Sequence, residues 1–282
     1  MSERDPVLFE RVAPGVGLLT LNRPNRGNSV IPELAEMLSR ILDKLEPDRS
    51  IRCVVITGAG RQFCAGADLV AFRDYLRNDH VRTGEPFNAR ILFPITRRLT
   101  TSRIVFIAAV NGGATAGGLD LALACDLRIA SKTAKFGETY INMGLVPGNG
   151  GTWFLPRLVG SGVAAEMALT GEVFGAERAL RLGLVSRIVS PEKLLEAAVS
   201  LAKVVAAKPW RALEATKKSL SSSWSSDLTA SMDSSYWAVS VMHYQPDLSE
   251  AIDAFLEKRS PVFNVDVDSH INEKLEAPTE TS

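Results

Sequence analysis

The chain has 282 residues, of which 46% are hydrophobic, so it can bury one large core with or without a smaller appended region. Its 32 lysines and arginines balance 32 aspartates and glutamates, so no excess charge favours a nucleic acid or an anionic membrane as a partner. No apolar run reaches the roughly 18 to 20 residues of a membrane span, and the polar start Met-Ser-Glu-Arg-Asp-Pro is unlike a signal peptide.

The three cysteines and three histidines argue against a metal centre and against a histidine-based triad. The cysteines form no CxxC pair, and their spacing fits neither a zinc site nor a disulfide framework. Cys64 is a weak candidate nucleophile, because it follows Phe63 in an apolar setting. We therefore expect no bound metal, and the free thiols predict a cytoplasmic protein.

The first hundred residues alternate apolar strand patterns with amphipathic helix patterns. The predicted elements are a hairpin of residues 7–11 and 16–21, a helix over 31–45, a strand over 53–57 and helices over 68–76 and 90–99. The loop after the hairpin carries Arg23 and Arg26, which could bind a phosphate group, although an ordinary solvated turn has the same composition.

Residues 104–125 read as a buried strand, a glycine-rich turn and a helix. A helix start exposes free backbone N–H groups, and Asp120 lies just inside this one. Such an arrangement could stabilise an oxyanion and move a proton, but a helix start capped by an aspartate looks the same. Residues 53–69 repeat the pattern, with Ala65-Gly66-Ala67-Asp68 at the second helix start, so two N–H groups could converge on one point.

Alternation of strands and helices continues to about residue 190 and predicts a mostly parallel α/β sheet, with strand–strand–helix turns that could wind as a spiral. From Pro191 onward only helical patterns follow, and the last residues are acidic and polar. We therefore predict a core over residues 1–190, a helical region over 191–264 and a disordered tail over 265–282.

At this point the chain resembles the crotonase superfamily, the enoyl-CoA hydratase/isomerase fold. The matching stretches, in chain order, are Leu21-Asn22-Arg23-Pro24, Val55-Ile56-Thr57-Gly58, Phe63-Cys64-Ala65-Gly66-Ala67-Asp68-Leu69, Ala108-Ala109-Val110-Asn111-Gly112, Gly117-Gly118, Cys125-Asp126-Leu127-Arg128-Ile129-Ala130, Phe136-Gly137, Gly144-Leu145-Val146-Pro147, Gly150-Gly151 and Phe255-Leu256-Glu257-Lys258-Arg259. Each stretch alone is a weak signal, whereas the ordered set is specific.

The resemblance implies an α/β spiral of ββα units with a C-terminal all-helical trimerisation region, assembled as a homotrimer or homohexamer. It implies an acyl-CoA thioester substrate, with coenzyme A as part of that substrate and no separate cofactor. The oxyanion hole would be formed by the N–H groups of Ala67 and Gly117. The residues implied near coenzyme A are Arg23, Arg26, Ala65 and Asp68, together with Phe255 and Lys258 of a neighbouring subunit.

The acid–base residues depart from the family pattern. Hydratases of the family use two glutamates, and the first falls on Asp120, one methylene shorter, while the second falls on Tyr140. Glu138 could substitute for the second glutamate if its segment is extended, and otherwise it would be a solvated strand-end residue. A proton shuttle with one carboxylate, Asp120, around a thioester enolate therefore fits better than water addition between two carboxylates.

The leading hypothesis is an enoyl-CoA hydratase or isomerase in the broad sense, with Asp120 transferring the proton and Tyr140 or Glu138 assisting. Two alternatives stay open. One is thioester or C–C hydrolysis, or decarboxylation, in the same oxyanion hole. The other is an acyl-CoA-binding protein that has lost catalysis.

Overall fold

The structure is a computed structural model that describes residues 5–78 and 84–265. Its strands are β1 (Val7–Ala13), β2 (Gly15–Leu21), β3 (Ile51–Gly58), β4 (Gln62–Cys64), β5 (Val105–Val110), β6 (Gly113–Thr115), β7 (Leu127–Ser131), β8 (Lys135–Gly137), β9 (Val173–Gly175) and β10 (Arg187–Val189).

The α-helices are α1 (Pro32–Leu45), α2 (Leu69–Asn78), α3 (Phe87–Arg90), α4 (Leu92–Thr101), α5 (Gly117–Leu123), α6 (Gly151–Val159), α7 (Ser161–Thr170), α8 (Ala176–Arg181), α9 (Leu194–Ala206), α10 (Trp210–Ser223), α11 (Leu228–Met242) and α12 (Pro246–Leu256). Short 3₁₀ helices span Pro24–Arg26, Thr139–Met143 and Pro191–Lys193. The hairpin and the long helices predicted from the sequence are therefore present.

The strands form two sheets that the chain visits in turn. The larger sheet has the order β1-β2-β3-β5-β7-β10 and is parallel except for the β1–β2 hairpin. The smaller sheet has the order β4-β6-β8-β9, with only β9 antiparallel. Successive units give one strand to the large sheet, the next to the small sheet, and then a helix. The predicted spiral of ββα units is confirmed.

The second sheet is the part of the fold that hydrophobic patterning missed. Its four strands are three residues each, too short for an alternation of apolar and polar side chains to be recognised. In particular, Gly113–Thr115 was expected to belong to an irregular turn and instead forms β6.

Both faces of the large sheet are covered, which explains why β3 and β5 read as continuous apolar runs. One face packs against α1, α4, α5 and the small sheet in the main core. The other packs against α9, whose Leu194, Ala198, Ala202 and Ala206 recur every four residues. These small side chains share one helix face and let the helix lie close to the strands.

Beyond β10, which ends at Val189, the described residues contain no further strand. Because α9 covers the large sheet, the first helix of this region packs as part of the same body, whereas α11 has no buried residue. The domain boundaries stay predictions, and the predicted tail lies outside the described residues except for Val265. Within 5–78 and 84–265, no helix is long and apolar enough to cross a bilayer.

A buried lysine ties α10 to the core. Lys217 Nζ donates to the carbonyl oxygens of Leu99 at 2.9 Å and Ile104 at 2.6 Å, and it lies 2.8 Å from Asp126 Oδ2. Asp126 Oδ2 also accepts the Phe106 N–H at the start of β5. One ammonium group therefore donates to a carbonyl in α4, to the carbonyl just before β5 and to the carboxylate of Asp126.

Lys217→Met should destabilise the protein strongly, because it removes the cation paired with Asp126 and the donor to the carbonyls of Leu99 and Ile104. Breaking a buried pair by removing one partner costs about 3 to 5 kcal/mol. The free energy of unfolding in urea, measured at one protein concentration, would show this loss. Lys218→Met is the matched control, since Lys218 is the exposed neighbour and should change stability by less than about 0.5 kcal/mol. Equal effects of the two changes would contradict the assignment.

Candidate active site

The site is built where the start of α5 meets the turn after β4. The chain leaves β6 through Ala116, which has φ 47° and ψ −122°, and enters α5 at Gly117. A Cβ on Gly118 would overlap the carbonyl oxygen of Cys64, so only glycine lets the two segments come this close. The predicted correspondence between the two helix starts is therefore a physical contact.

The two predicted oxyanion donors are neighbours in this contact. Gly66 has φ +88°, and a Cβ there would lie 3.1 Å from the Gly117 nitrogen. Val30 bridges to Ala67 by accepting the Asp68 N–H and donating to the Gly66 carbonyl, which leaves the Ala67 N–H out of that bridge. Among the backbone hydrogen bonds of the described residues, neither the Ala67 nor the Gly117 N–H has an acceptor. Both donors are thus available to a ligand oxygen.

A chain of side-chain hydrogen bonds lies beside Gly117. Asn149 Nδ2 donates to Tyr140 Oη at 2.5 Å, and the Tyr140 hydroxyl donates to Asp120 Oδ2 at 2.6 Å. The position that a Cβ of Gly117 would take is 3.3 Å from Tyr140 Oη and 3.4 Å from Asn149 Nδ2. Because the NH2 group of Asn149 can only donate, the tyrosine hydroxyl must direct its own proton toward Asp120.

Glu138 completes the cluster, and the alternative that it is a solvated strand-end residue is wrong. It follows β8, has φ −90° and ψ 70° as the residue before the 3₁₀ helix, and is fully buried. A Cβ on Gly151 would overlap Glu138 Oε1 and lie 2.5 Å from Asp120 Oδ1, so the two carboxyl groups converge over the start of α6. The structure therefore brings together Asp120, Tyr140 and Glu138.

Burial dominates the electrostatics of these three groups. It raises the pKa of Asp120, although the hydrogen bond from Tyr140 and the nearby Asn149 and Glu138 act in the opposite direction. Burial and then the charge of Asp120 raise the pKa of Glu138 much further. The same two causes raise the pKa of the Tyr140 phenol. Near neutral pH the cluster is therefore one carboxylate held by two neutral neighbours.

The residues expected near coenzyme A divide into a structural pair and an exposed edge. Arg23 lies 3.1 Å from Asp68, whose other oxygen accepts the N–H groups of Val70 and Ala71 at the start of α2. Burial opposes ionisation of Asp68, but these bonds and the arginine hold its pKa below the usual range. Arg26 and Ala65 are exposed, and the Ala65 N–H donates to the Gly27 carbonyl, so both belong to one surface edge.

Phe255 and Lys258 lie at the C-terminal end of α12, far along the sequence from the other residues expected near coenzyme A. Phe255 is 82% exposed, and Lys258 is exposed with φ 57°. Among the contacts of the described residues, no hydrogen bond, ion pair or ring contact joins either of them to Arg23 or Arg26. Within the described residues, neither Phe255 nor Lys258 therefore makes a direct contact with the two arginines of the predicted site.

Sequence reasoning missed Asn149 and Gly151. Both lie in the glycine-rich loop before α6, where a polar residue is ordinarily a turn residue. Their roles depend on a contact between this loop and α5, some thirty residues earlier, which no local pattern reports. No group of three or more His, Cys, Asp or Glu suited to a metal ion occurs in the described part of the chain.

Comparison with known proteins identifies the family to which the chain belongs. The sequence model described as Enoyl-CoA hydratase/isomerase matches residues 11–266. The chain is 37% identical to the 1,2-epoxyphenylacetyl-CoA isomerase of Escherichia coli, over 91% of this chain and 97% of the relative. It is 38% identical to the (E)-benzylidenesuccinyl-CoA hydratase of Thauera aromatica, over 92% and 98%.

Solved structures give the same result. The enoyl-CoA hydratase from Bacillus anthracis superposes with a TM-score of 0.87 at 34% identity, covering 92% of this chain and 98% of that one. An enoyl-CoA hydratase from Mycobacterium tuberculosis superposes with a TM-score of 0.82 at 33% identity, covering 93% and 99%. Fold, sequence and the extent of the matches agree, and the chain belongs to the enoyl-CoA hydratase/isomerase family of the crotonase superfamily and is an acyl-CoA enzyme of that type.

Proposed function

We propose that this enzyme shifts a proton along an acyl-CoA thioester through an enolate, with Asp120 as the only charged acid–base group. The observation that carries this proposal is the hydrogen-bond chain from Asn149 through Tyr140 to Asp120, lying beside Gly117. Tyr140 stands where a second facing carboxylate would be needed to hold water. An isomerisation needs one base that removes a proton from one carbon and returns it to another.

In this mechanism the thioester oxygen is bound by the N–H groups of Ala67 and Gly117. Negative charge develops on that oxygen when Asp120 takes a proton from the acyl chain, and two fixed donors stabilise it without reorganisation. Tyr140 remains protonated because its pKa is raised, so it orients Asp120 and does not act as a base. Return of the proton from Asp120 to a different carbon completes the shift.

A hydratase is the second candidate, because Glu138 supplies another carboxyl group next to Asp120. Burial and the charge of Asp120 raise the pKa of Glu138 to about 10, which keeps this carboxyl protonated near neutral pH and argues against its use as the base that activates water. The relatives include both an isomerase and hydratases at similar identity, so likeness alone does not separate the two reactions. Identifying the products formed from a panel of acyl-CoAs in heavy water would separate these two reactions. The same experiment would also distinguish the hydrolytic, decarboxylating and non-catalytic alternatives.

Asp120→Asn should keep binding of a CoA thioester and lose at least about 10²-fold in the rate of deuterium exchange into the acyl chain, the lower end for general acid–base catalysis. The change is isosteric, so binding measured by calorimetry separates chemistry from folding. Asp43→Asn is the control, because Asp43 has a side chain 66% exposed and pairs only with Arg98 at the surface. Wild-type exchange in Asp120→Asn would rule out Asp120 as the base.

Ala67→Pro should lower the exchange rate by about 10²- to 10³-fold, since proline lacks the N–H proposed to bind the oxyanion. The Val30 bridge uses Gly66 and Asp68, so it survives the change. Ala67→Gly keeps the N–H and serves as the matched variant. If folded Ala67→Pro and Ala67→Gly exchange equally fast, the Ala67 donor is not part of an oxyanion hole.

For coenzyme A we propose the edge formed by Arg26 and Ala65, with Arg23 and Asp68 holding the loop in place through their ion pair. Phe255 and Lys258 would come from a neighbouring subunit, which their exposure supports. Three buried free cysteines support a reducing compartment such as the cytoplasm. Burial raises the pKa of Cys64 to about 12, which argues against its use as a nucleophile.

We propose that the protein forms a homotrimer or homohexamer in which the C-terminal helices make contacts between subunits. The apolar residues that α11 and its flanks expose are Leu228, Met232, Tyr236, Trp237, Val239, Val241 and Tyr244. Leu228, Met232, Tyr236 and Val239 recur at helical spacing on one face, and an exposed apolar face on a helix with no buried residue is typical of a subunit interface.

Sedimentation at micromolar concentration should therefore give a trimer or a larger assembly. Tyr236→Glu places a charge on a side chain that is 67% exposed on this face, and it should shift the protein toward monomer. Leu169→Glu is the control: Leu169 is 73% exposed on α7, which is not one of the C-terminal helices, and the change should leave at least a trimer. A monomeric wild-type protein would contradict the proposal.

A further inference from the structure

The carboxyl cluster contains more acceptors than donors. Asp120 Oδ1 and both oxygens of Glu138 are buried and have no hydrogen-bond donor among the described residues. Asp120 Oδ2 is different, since it accepts the Tyr140 hydroxyl. Buried polar atoms in folded proteins almost always have partners, and two carboxyl groups that converge on one point can satisfy each other by sharing a proton.

Two facing carboxyl groups in this setting do not both ionise. Both side chains are fully buried, and their oxygens approach the same point over Gly151. The titratable groups that face one another here are Asp120 of α5, Glu138 directly after β8 and Tyr140 of the 3₁₀ helix. The loop before α6 adds the neutral amide of Asn149. No cationic side chain is among the groups that shift the pKa of either carboxyl. Two negative charges on neighbouring carboxyl groups in a low-dielectric interior repel each other, which favours retention of one proton by the pair.

The hydrogen bonds decide which group carries that proton. Asp120 is stabilised as an anion by the hydroxyl of Tyr140, which Asn149 orients toward it. Neither carboxyl oxygen of Glu138 accepts a hydrogen bond from a donor among the described residues. The arrangement that satisfies most atoms puts the proton on Glu138 and directs its O–H to Asp120 Oδ1.

We propose that Glu138 is a positioning residue: a neutral acid that donates a hydrogen bond to Asp120 and so holds the base between two O–H donors, Tyr140 on one oxygen and Glu138 on the other. This inference rests on the proposed role of Asp120 as the base. With both donors in place, Asp120 enters the reaction as the single anion of the cluster. When it accepts a proton from the substrate, the pair becomes doubly protonated and neutral, and return of that proton restores the starting state.

The first test measures the folded protein without substrate. Glu138 keeps its proton in the folded state and releases it in the unfolded state above its ordinary pKa of about 4.3. The folded state then binds more protons than the unfolded state, so stability must fall as pH rises through this interval. Glu138→Gln cannot titrate, and its amide N–H can still donate to Asp120. Between pH 5 and pH 9 the urea midpoint of the wild-type protein should therefore fall relative to that of Glu138→Gln.

Glu36→Gln is the matched control, because Glu36 has a side chain 67% exposed and should show no such divergence from wild type. Both variants are compared at one protein concentration, since assembly affects apparent stability. If the wild-type and Glu138→Gln curves stay parallel over the whole range, Glu138 does not hold a proton and the proposal is overturned. This outcome is independent of whether the enzyme is an isomerase.

The second test is the pH profile of deuterium exchange. The wild-type profile should lose activity on the alkaline side when the shared proton leaves and Glu138 becomes charged against Asp120. Glu138→Gln should lack this alkaline limb and keep the acid limb, which belongs to protonation of Asp120. A purely structural role for Glu138 would lower the rate at every pH without removing a limb. An unchanged alkaline limb in Glu138→Gln would count against the proposal.

Discussion

The close approach of α5 to the turn after β4 is the contact on which the site depends. It requires glycine at position 118, because any side chain there would meet the Cys64 carbonyl. The same approach brings the Gly117 nitrogen next to Gly66 and leaves the N–H groups of Ala67 and Gly117 without backbone acceptors. Two strand–turn–helix units from different parts of the chain thus bring two free backbone N–H groups together, the kind of donor pair that the proposed oxyanion hole needs.

A buried carboxylate beside that point would be expensive without partners. Neutral hydrogen-bond donors, and not a cation, reduce the free-energy cost of burying the charge of Asp120. Tyr140 and Asn149 stabilise one side of Asp120, and Glu138 faces the other. An arginine or lysine there would lower the pKa of Asp120 and weaken it as a base. Neutral donors orient the carboxylate while burial keeps its pKa above the usual aspartate value.

Much of the fold followed from the sequence, because the long strands and amphipathic helices have clear periodicity. The paired helix starts at Ala67 and Gly117 were also predictable, since glycine and alanine clusters after buried strands are local signals. The second sheet was not, because strands of three residues carry no readable period. The position of Glu138 depends on a turn into a 3₁₀ helix, and that of Asn149 on a contact with α5. Both are tertiary constraints that a strand-period argument cannot supply.

The surface of α11 also affects how the chain becomes stable. This helix contains many serines and β-branched residues, which are not strong helix formers, and it has no buried residue to hold it in a single chain. Isolated helices of about 15 residues are marginal in water, so packing between subunits would have to supply what the sequence lacks. Folding of α11 would then be coupled to association. Its order would depend on protein concentration by mass action, and dilution would loosen this helix before the sheets.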